Sequence, residues 1–397
     1  MIMTDDILKW IEENKGEDPV KLRLRYHKHM TSEIDFAIMQ IECRKKAAKK
    51  LSKTLENKHF IFPTTLSAEQ CTSDLLASFH ASLIEDGQNV IDLTSGLGID
   101  VFNLARKASH VTAIEINQIV ADAIPLNATQ LGLNNITVIN ADCKEYLINC
   151  DDKFDVAFID PARRGDGGKR LYALSQCSPD VTEILPLIKS HCQRLIVKAS
   201  PMLDISQTLK ELPNCCDIYL IGTPQECKEI VAVIEFDQTE SIPNIHAVTL
   251  GKESISHYIF NREQEANAIA SYSIPQEQHY LYEPYPATMK AAPVKLLSEQ
   301  YKVNKLHPAT HLYTSSTIIN NLPAESFKIE IIIPFSSKEI KQFAKSYPQI
   351  NVATRNFPLS ADELRKKLKV CDGGNKRAMA TTLANGDKVI LILSRIE

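Results

Sequence analysis

Long apolar runs, paired cysteines and an excess of charge of either sign are all missing from this 397-residue sequence. No apolar stretch approaches the ~18 residues needed to cross a bilayer. The opening Met1-Ile2-Met3-Thr4-Asp5-Asp6 has neither a basic region nor an apolar one behind it, so no leader is expected. The ten cysteines stand apart, with only Cys215 and Cys216 adjacent and no C-x-x-C spacing. That spacing argues against a zinc site or a disulfide framework and for a reducing, cytoplasmic setting. With 45 Lys and Arg against 49 Asp and Glu, the formal net charge is −4, so any nucleic-acid surface must be local. What remains is an ordinary globular composition, 44% hydrophobic and 24% charged, long enough for two or three domains at about 150 residues each.

Residues 1–65 read as helices. Ile7, Leu8 and Ile11, then Ile34, Ile38, Ile41, Ala48, Leu51 and Leu55, recur at helical spacing. The single tryptophan, Trp10, is expected to anchor these helices. Between them lie Tyr26, His27 and His29, read as packing or surface residues with RNA contact as the alternative. From Arg44 to Lys58, seven basic residues (Arg44, Lys45, Lys46, Lys49, Lys50, Lys53, Lys58) face one acid, Glu56, which suits either a solvated helix face or a phosphate-tracking surface. Residues 66–237 change character. Short β-branched runs at 89–93, 111–115, 136–140, 154–160, 195–199, 218–221 and 230–236 alternate with helical stretches. The first five are spaced widely enough for crossover helices and parallel pairing, and the last two closely enough for an antiparallel neighbour. A doubly wound α/β sheet with one reversed strand is predicted, with ligands at the carboxyl ends of its strands. Residues 238–325, broken by prolines, read as a small connecting domain, and 326–397 as a compact α+β module whose second helix opens on the capping box Ser360-Ala361-Asp362-Glu363.

The strongest constellation is Val90-Ile91-Asp92-Leu93-Thr94-Ser95-Gly96-Leu97-Gly98-Ile99-Asp100, a buried strand entering a glycine turn and a helix. Gly96 and Gly98 let backbone approach a ligand that a Cβ would repel. Glu115 closes the next strand, 17 residues after Gly98, where an acid can accept hydrogen bonds from vicinal ribose hydroxyls. A dinucleotide fingerprint would carry a third glycine where Val101 stands, and a diphosphate has no use for the carboxylate of Asp92 four residues ahead of the loop. Asp92 suits a ligand bearing an ammonium group, and Asp142, at the end of the third strand, suits an adenine amino group. Each acid singly is also a plausible helix cap or turn residue.

On these residues the stretch resembles the class I S-adenosylmethionine-dependent methyltransferases, whose first motif is similar to Asp92-Leu93-Thr94-Ser95-Gly96-Leu97-Gly98. The resemblance covers about 170 residues. It implies a Rossmann-like seven-stranded sheet of order 3-2-1-4-5-7-6 with strand 7 antiparallel, and S-adenosylmethionine as cofactor. It also implies that Asp92, Thr94, Gly96 and Gly98 surround the methionine moiety, Glu115 the ribose and Asp142 the adenine, with Gln70 a further candidate. The fourth strand delivers Asp160-Pro161-Ala162-Arg163-Arg164, which resembles the fourth motif of amino- and nucleobase-directed methyltransferases. There D-P-P is usual and an aromatic often stands at the arginine. Asp160 can accept a hydrogen bond from the acceptor's N–H and touch the cofactor, while Pro161 fixes the backbone. Arg163, Arg164, Lys169 and Arg170 against the single Asp166 fit an anionic substrate. Methylation of pyrimidine carbon 5 needs a thiolate, and Lys198-Ala199-Ser200-Pro201 after the fifth strand offers none, so direct transfer to nitrogen or oxygen is favoured.

The last module, through Asn356-Phe357-Pro358-Leu359 and Gly373-Gly374-Asn375-Lys376-Arg377, resembles the THUMP-like domain of a little-studied bacterial methyltransferase family. The segment from Glu283-Pro284-Tyr285-Pro286 to His311 resembles that family's ferredoxin-like insert. The resemblance implies structured RNA, tRNA or rRNA, as partner. Arg355, Arg365, Lys366, Lys367, Lys369, Lys376 and Arg377 outnumber Asp362, Glu363 and Asp372, as either a phosphate-contacting face or a solvated helix surface would. His307 and His311 stand four apart, but with Pro308 between them and no acid or cysteine near, no metal is expected. The expected activity is S-adenosylmethionine-dependent methylation of an RNA nucleotide. A small-molecule or protein methyltransferase, and a non-catalytic RNA-binding protein on the same scaffold, remain the alternatives.

Overall fold

The computed structural model describes residues 2–163, 173–238 and 242–396. The chain divides into two compact units, one of Met1–Cys216 with Val231–Ser241, the other of Asp217–Ile230 with Ile242–Glu397.

The first unit opens with helices α1 (Asp5–Asn14), α2 (Pro19–Tyr26), α3 (Ser32–Ala47), α4 (Thr65–Gln70) and α5 (Asp74–Ala81). Each starts where a Thr, Ser or Asp side chain accepts an otherwise unpaired backbone N–H: Thr4, Asp18, Thr31, Thr64 and Ser73. Apolar residues of α1, α2 and α3 (Ile7, Ile11, Leu22, Phe36, Ile38, Ile41) bury together with Ile61, and Trp10 packs edge-on against Tyr26 at 5.4 Å. The chain at Ile61 and Phe62 is neither helix nor strand, yet its peptide groups are paired by two buried amide side chains. Gln40 donates to Phe62 O (2.7 Å) and accepts from Phe62 N–H (3.0 Å); Asn127 donates to Ile61 O (2.9 Å) and accepts from Ile61 N–H (2.8 Å). The amides stand in for a neighbouring strand.

Next come β1 (Asn89–Asp92), α6 (Ile99–Ala105), β2 (His110–Glu115), α7 (Gln118–Gln130), β3 (Ile136–Asn140), α8 (Cys143–Asn149) and β4 (Phe154–Ile159). A short pair follows, β5 (Ala162–Arg163) antiparallel to β6 (Cys177–Ser178), then α9 (Val181–His191), β7 (Cys192–Ala199), α10 (Ile205–Glu211), β8 (Cys215–Gly222) and β9 (Cys227–Glu235). Strands β1 to β4 and β7 are parallel, as their helical crossovers require, so their carboxyl ends lie along one edge. The sheet order is β11-β10-β8-β9-β7-β4-β1-β2-β3, where β10 is Asn244–Leu250 and β11 is Ile255–Phe260. The expected seven-strand order is contained in it, but the sheet has nine strands, not seven. Residues 244–260 fall in the span expected to be a connecting domain, but they extend this sheet instead, β10 parallel to β8 and β11 antiparallel to β10.

In the second unit α11 (Arg262–Asn267), β12 (Tyr280–Pro284), α12 (Pro286–Ala291), α13 (Val294–Tyr301), β13 (Asn304–Lys305) and β14 (Tyr313–Ser315) precede β15 (Ala324–Pro334), α14 (Ser337–Ser346), β16 (Asn351–Arg355), α15 (Ala361–Leu368), β17 (Lys376–Thr382) and β18 (Lys388–Arg395). α12 and α13 are separated where Ala292 is left-handed at φ 62° before Pro293. The strands form one seven-stranded sheet, β13-β14-β12-β15-β18-β17-β16. Alternate residues of β18 serve opposite faces: Ile390 and Ile392 meet α14 and α15, while Val389, Leu391 and Leu393 join Leu281, Phe327 and Met379.

Candidate active site

The carboxyl ends of β1, β2, β3, β4 and β7 bring the expected acids to one edge, and short side-chain bridges hold the strand ends in register. Thr94 ties β1 to β4. Its N–H donates to Asp92 Oδ1 (2.9 Å), and its Oγ1 accepts from the Asp160 N–H (2.7 Å). Glu115 ties the glycine loop to β2, Oε2 accepting from Gly96 N–H and Oε1 from Asn117 N–H, both at 2.8 Å. Asn140 then holds the next turn by donating to the carbonyls of Glu115 (2.8 Å) and Ile116 (3.0 Å). Asp142 is the N-cap of α8, and both capping bonds, from Lys144 N–H (2.8 Å) and Glu145 N–H (3.1 Å), fall on Oδ1. The helix-cap reading of this acid therefore holds, and any ligand contact rests on its other oxygen.

The two glycines have different reasons. Gly96 is left-handed at φ 53°, and a Cβ there would meet no atom within 4 Å, so the space over the loop is open. Gly98, at φ 87°, caps α6, and a Cβ would stand 2.8 Å from Phe102 Cζ. At Gly98 the missing side chain also makes room for the Phe102 ring.

Asp92 is 1% exposed. Burial pushes its carboxyl well above the ordinary carboxylate range. The Thr94 N–H opposes this, and the negative charges of Asp100, Asp160 and Glu115 add to it. A cation placed over the loop would relieve that penalty.

Asp160 lies at the end of a chain of polar side chains that sequence reading did not foresee. Lys198 Nζ donates to Asp160 Oδ2 (2.6 Å) and Thr72 Oγ1 (2.9 Å); Thr72 donates to Asp100 Oδ2 (2.5 Å); His80 Nδ1 meets Asp100 Oδ1 at 2.7 Å. His80 is fully buried, its ring 5.5 Å from Phe158. Burial pushes the Asp100 carboxyl up, but the charge and hydrogen bond of His80, with Lys198 and Thr72, outweigh it and hold the group down at about 2. One signal for Asp100 was in the sequence: α6 is buried at Ile99, Val101, Phe102, Leu104 and Ala105, and a carboxylate amid such a run needs partners. For Thr72 and His80 there was none. Lys198 stood in plain view beside Ala199-Ser200-Pro201. At the other end of β7, burial pushes the Cys192 thiol up to about 12, leaving it inert.

Pro161 is buried behind Asp160, and Ala162 and Arg163 form β5. Arg164, Lys169 and Arg170, and the Arg163 side chain, expected at the substrate, lie outside the described residues. Gln70 is exposed at the end of α4. Ile116, beside Glu115, is 69% exposed, an apolar surface at the same edge that was also missed. Among the described residues no group of three or more His, Cys, Asp or Glu is placed to hold a metal, and His307 and His311 lie on either side of the turn at Pro308 and Ala309.

The basic runs are largely committed. Arg44 donates to the carbonyls of Lys58 and Phe60 (both 2.7 Å), Lys46 pairs with Glu42 (2.9 Å) and Glu69 (2.7 Å), and Lys45 and Lys50 reach backbone carbonyls of Glu17 and Glu69. These bonds favour a structural reading of that helix. In the second unit Arg377 pairs with Glu283 (3.3 Å) and Glu325 (3.2 Å) above the Phe327 ring, while Arg355 holds Glu283, Lys376 Glu330 and Arg365 Asp362. Exposed lysines remain on α14 (Lys338, Lys341, Lys345) and at α15 (Lys366, Lys367, Lys369).

Residues 84–231 match the methyltransferase-domain family, 280–323 a ferredoxin-like domain and 324–395 the THUMP-domain-like family. A crystallised "putative methyltransferase from Porphyromonas gingivalis W83" is 33% identical, with a TM-score of 0.89 and 100% of each chain covered. This chain belongs to that family of S-adenosylmethionine-dependent methyltransferases. Curated relatives of the methyltransferase match shorter stretches. An uncharacterised RNA methyltransferase of Mycoplasma mobile is 32% identical over 93 residues, 23% of this chain and 26% of that protein. The ribosomal RNA small subunit methyltransferase J of Francisella tularensis subsp. novicida is 32% identical over 80 residues, 18% and 33%. The chain thus spans about a quarter to a third of the length of these curated relatives.

Proposed function

We propose that this methyltransferase transfers a methyl group directly to a nitrogen, or an oxygen, of an RNA nucleotide. The observation that carries the cofactor assignment is Asp92, a buried carboxyl at the end of β1, at odds with three neighbouring acids and four residues ahead of Gly96, over which the space is open. That site fits the ammonium end of S-adenosylmethionine, whereas a dinucleotide diphosphate has no use for a carboxylate beside its loop. Thr94, Gly96 and Gly98 shape the loop, Glu115 serves the ribose, and Asp142, through its uncapped oxygen, serves the adenine, with Ile116 as an apolar surface for the ring. When bound, the cofactor supplies an activated methyl on a sulfonium.

This chain's residues then position the acceptor. Asp160 accepts the acceptor's N–H and turns its lone pair toward the methyl, while Pro161 fixes the strand end; proximity of this kind is the main source of rate for an activated donor. Arg163, Arg164, Lys169 and Arg170 are the residues we assign to the anionic substrate. The printed names of the Mycoplasma and Francisella relatives and the THUMP-domain-like match support RNA as that substrate. The test is transfer from methyl-tritiated cofactor to RNA, with mass spectrometry of nucleosides from cells with and without the gene. Asp160→Ala is expected to abolish transfer while calorimetry still registers the cofactor. Labelling of a protein or small molecule instead of RNA would overturn the substrate assignment.

A further inference from the structure

The Asp160–Lys198 contact is an odd feature for a stabilising element. The Lys198 side chain is 12% exposed and the Asp160 side chain 38%, and the ammonium continues inward to Thr72 and to an aspartate that is itself nearly buried. Replacing such a pair by apolar residues of equal volume is commonly neutral or stabilising, so fold stability alone does not account for a four-link polar chain drawn from five places: α5, the loop before it, α6, β4 and β7. What the chain does accomplish is geometric. A carboxylate on a strand end rotates about χ2 unless one oxygen is held, and Lys198 holds Oδ2 at 2.6 Å. Lys198 cannot swing away, because Thr72 fixes it at 2.9 Å and is in turn fixed by Asp100 and His80.

We propose that Lys198 is a positioning residue for methyl transfer, clamping Asp160 in one rotamer and in its ionised form, with Thr72, Asp100 and His80 as the brace that fixes the clamp. The proposal rests on the methyl-transfer reading of Asp160. In the step it serves, the acceptor nitrogen forms the new N–C bond as the methyl–sulfur bond breaks and leaves its electron pair on sulfur. The acceptor's proton passes to water, and Asp160, held by an ammonium, remains a hydrogen-bond acceptor and retains no proton. Among the described residues, the charged and titratable groups near the clamp include Asp92 from β1, Glu115 from β2, Asp100 from α6, His80 from α5, and Cys71 with Asp74 and Lys50 around the loop that carries Thr72. Among the described residues, Lys198 is bonded directly to the Asp160 carboxylate.

Lys198→Met keeps the stem and removes the charge. It is expected to lower kcat by roughly 100-fold, the scale of a misplaced catalytic group, with cofactor affinity by calorimetry little changed. The acid limb of the kcat–pH profile should move to higher pH, because a carboxylate without its cation protonates more readily. Lys198→Arg should restore part of the rate and return the limb toward its original position. In an Asp160→Asn background Lys198→Met should have no further effect on kcat. Should Lys198→Met fail to fold, Thr72→Val gives the same reading, with a smaller loss of kcat and a limb shifted in the same direction. Transfer at the wild-type rate with an unmoved limb in both variants would overturn the clamp. Absence of transfer to RNA by the wild-type protein would overturn the methyl-transfer reading instead.

Discussion

At the scale of single residues, the site is organised by two buried aspartates with opposite fates. Asp100 is held ionised by the groups around it, whereas Asp92 is pushed toward its neutral form by burial and by neighbouring carboxylates. A bound ammonium favours the ionised form of Asp92, so cofactor binding should release protons. Affinity should rise with pH through the raised Asp92 value and flatten above it. Calorimetry in two buffers of different ionisation enthalpy reads the proton release directly, and Asp92→Asn should abolish both the release and the pH dependence while weakening binding by about tenfold, the worth of one charge-assisted hydrogen bond. A pH-independent affinity in the wild type would remove Asp92 from the ammonium site. Asp92, Gly96, Glu115 and Asp142 were legible because strand-end acids and turn glycines leave a linear pattern. Lys198 was not, because its meaning depends on Thr72, 126 positions away.

At the scale of elements, four of the parallel strands could be read to within a residue at each end and the fifth, β7, was read three residues short at its start, since strands covered on both faces are short β-branched runs such as Val90-Ile91 and Leu195-Ile196-Val197. The edge of the sheet could not. His246 to Leu250 and His257 to Phe260 look the same whether they open a new sheet or extend an old one, and only the register of β10 on β8 decides. The helical front raises the same difficulty, for its junction to α7 is made by the side chains of Gln40 and Asn127. Asn127→Leu is expected to cost about 3 kcal/mol or more, because the peptide of Ile61 would be left buried with neither partner. Urea denaturation measures this, and an unchanged midpoint with an unchanged slope would show that water replaces the amide at no cost.

For the whole molecule, near-neutral charge conceals a division of labour among its cations. Arg355, Arg365, Lys376 and Arg377 are bound to acids and serve the second unit's own structure, so the phosphate-facing reading of that module falls to Lys366, Lys367 and Lys369 with the lysines of α14. Replacing Lys366, Lys367 and Lys369 with Ala should weaken RNA binding at every sequence and flatten its dependence on salt by roughly two to three phosphate contacts. Arg377→Ala should lower the melting temperature. A filter-binding series in rising salt separates the two, and an unaltered slope in the triple variant would place RNA elsewhere. Such sorting was out of reach of sequence, where paired and unpaired cations look alike.

The amide-bound segment at Ile61 and Phe62 has a consequence of its own. Irregular chain commonly takes up deuterium within seconds, since nothing but water holds its amides. Here the N–H groups of Ile61 and Phe62 are satisfied by side chains that no solvent reaches, so these two sites should label as slowly as the central strands.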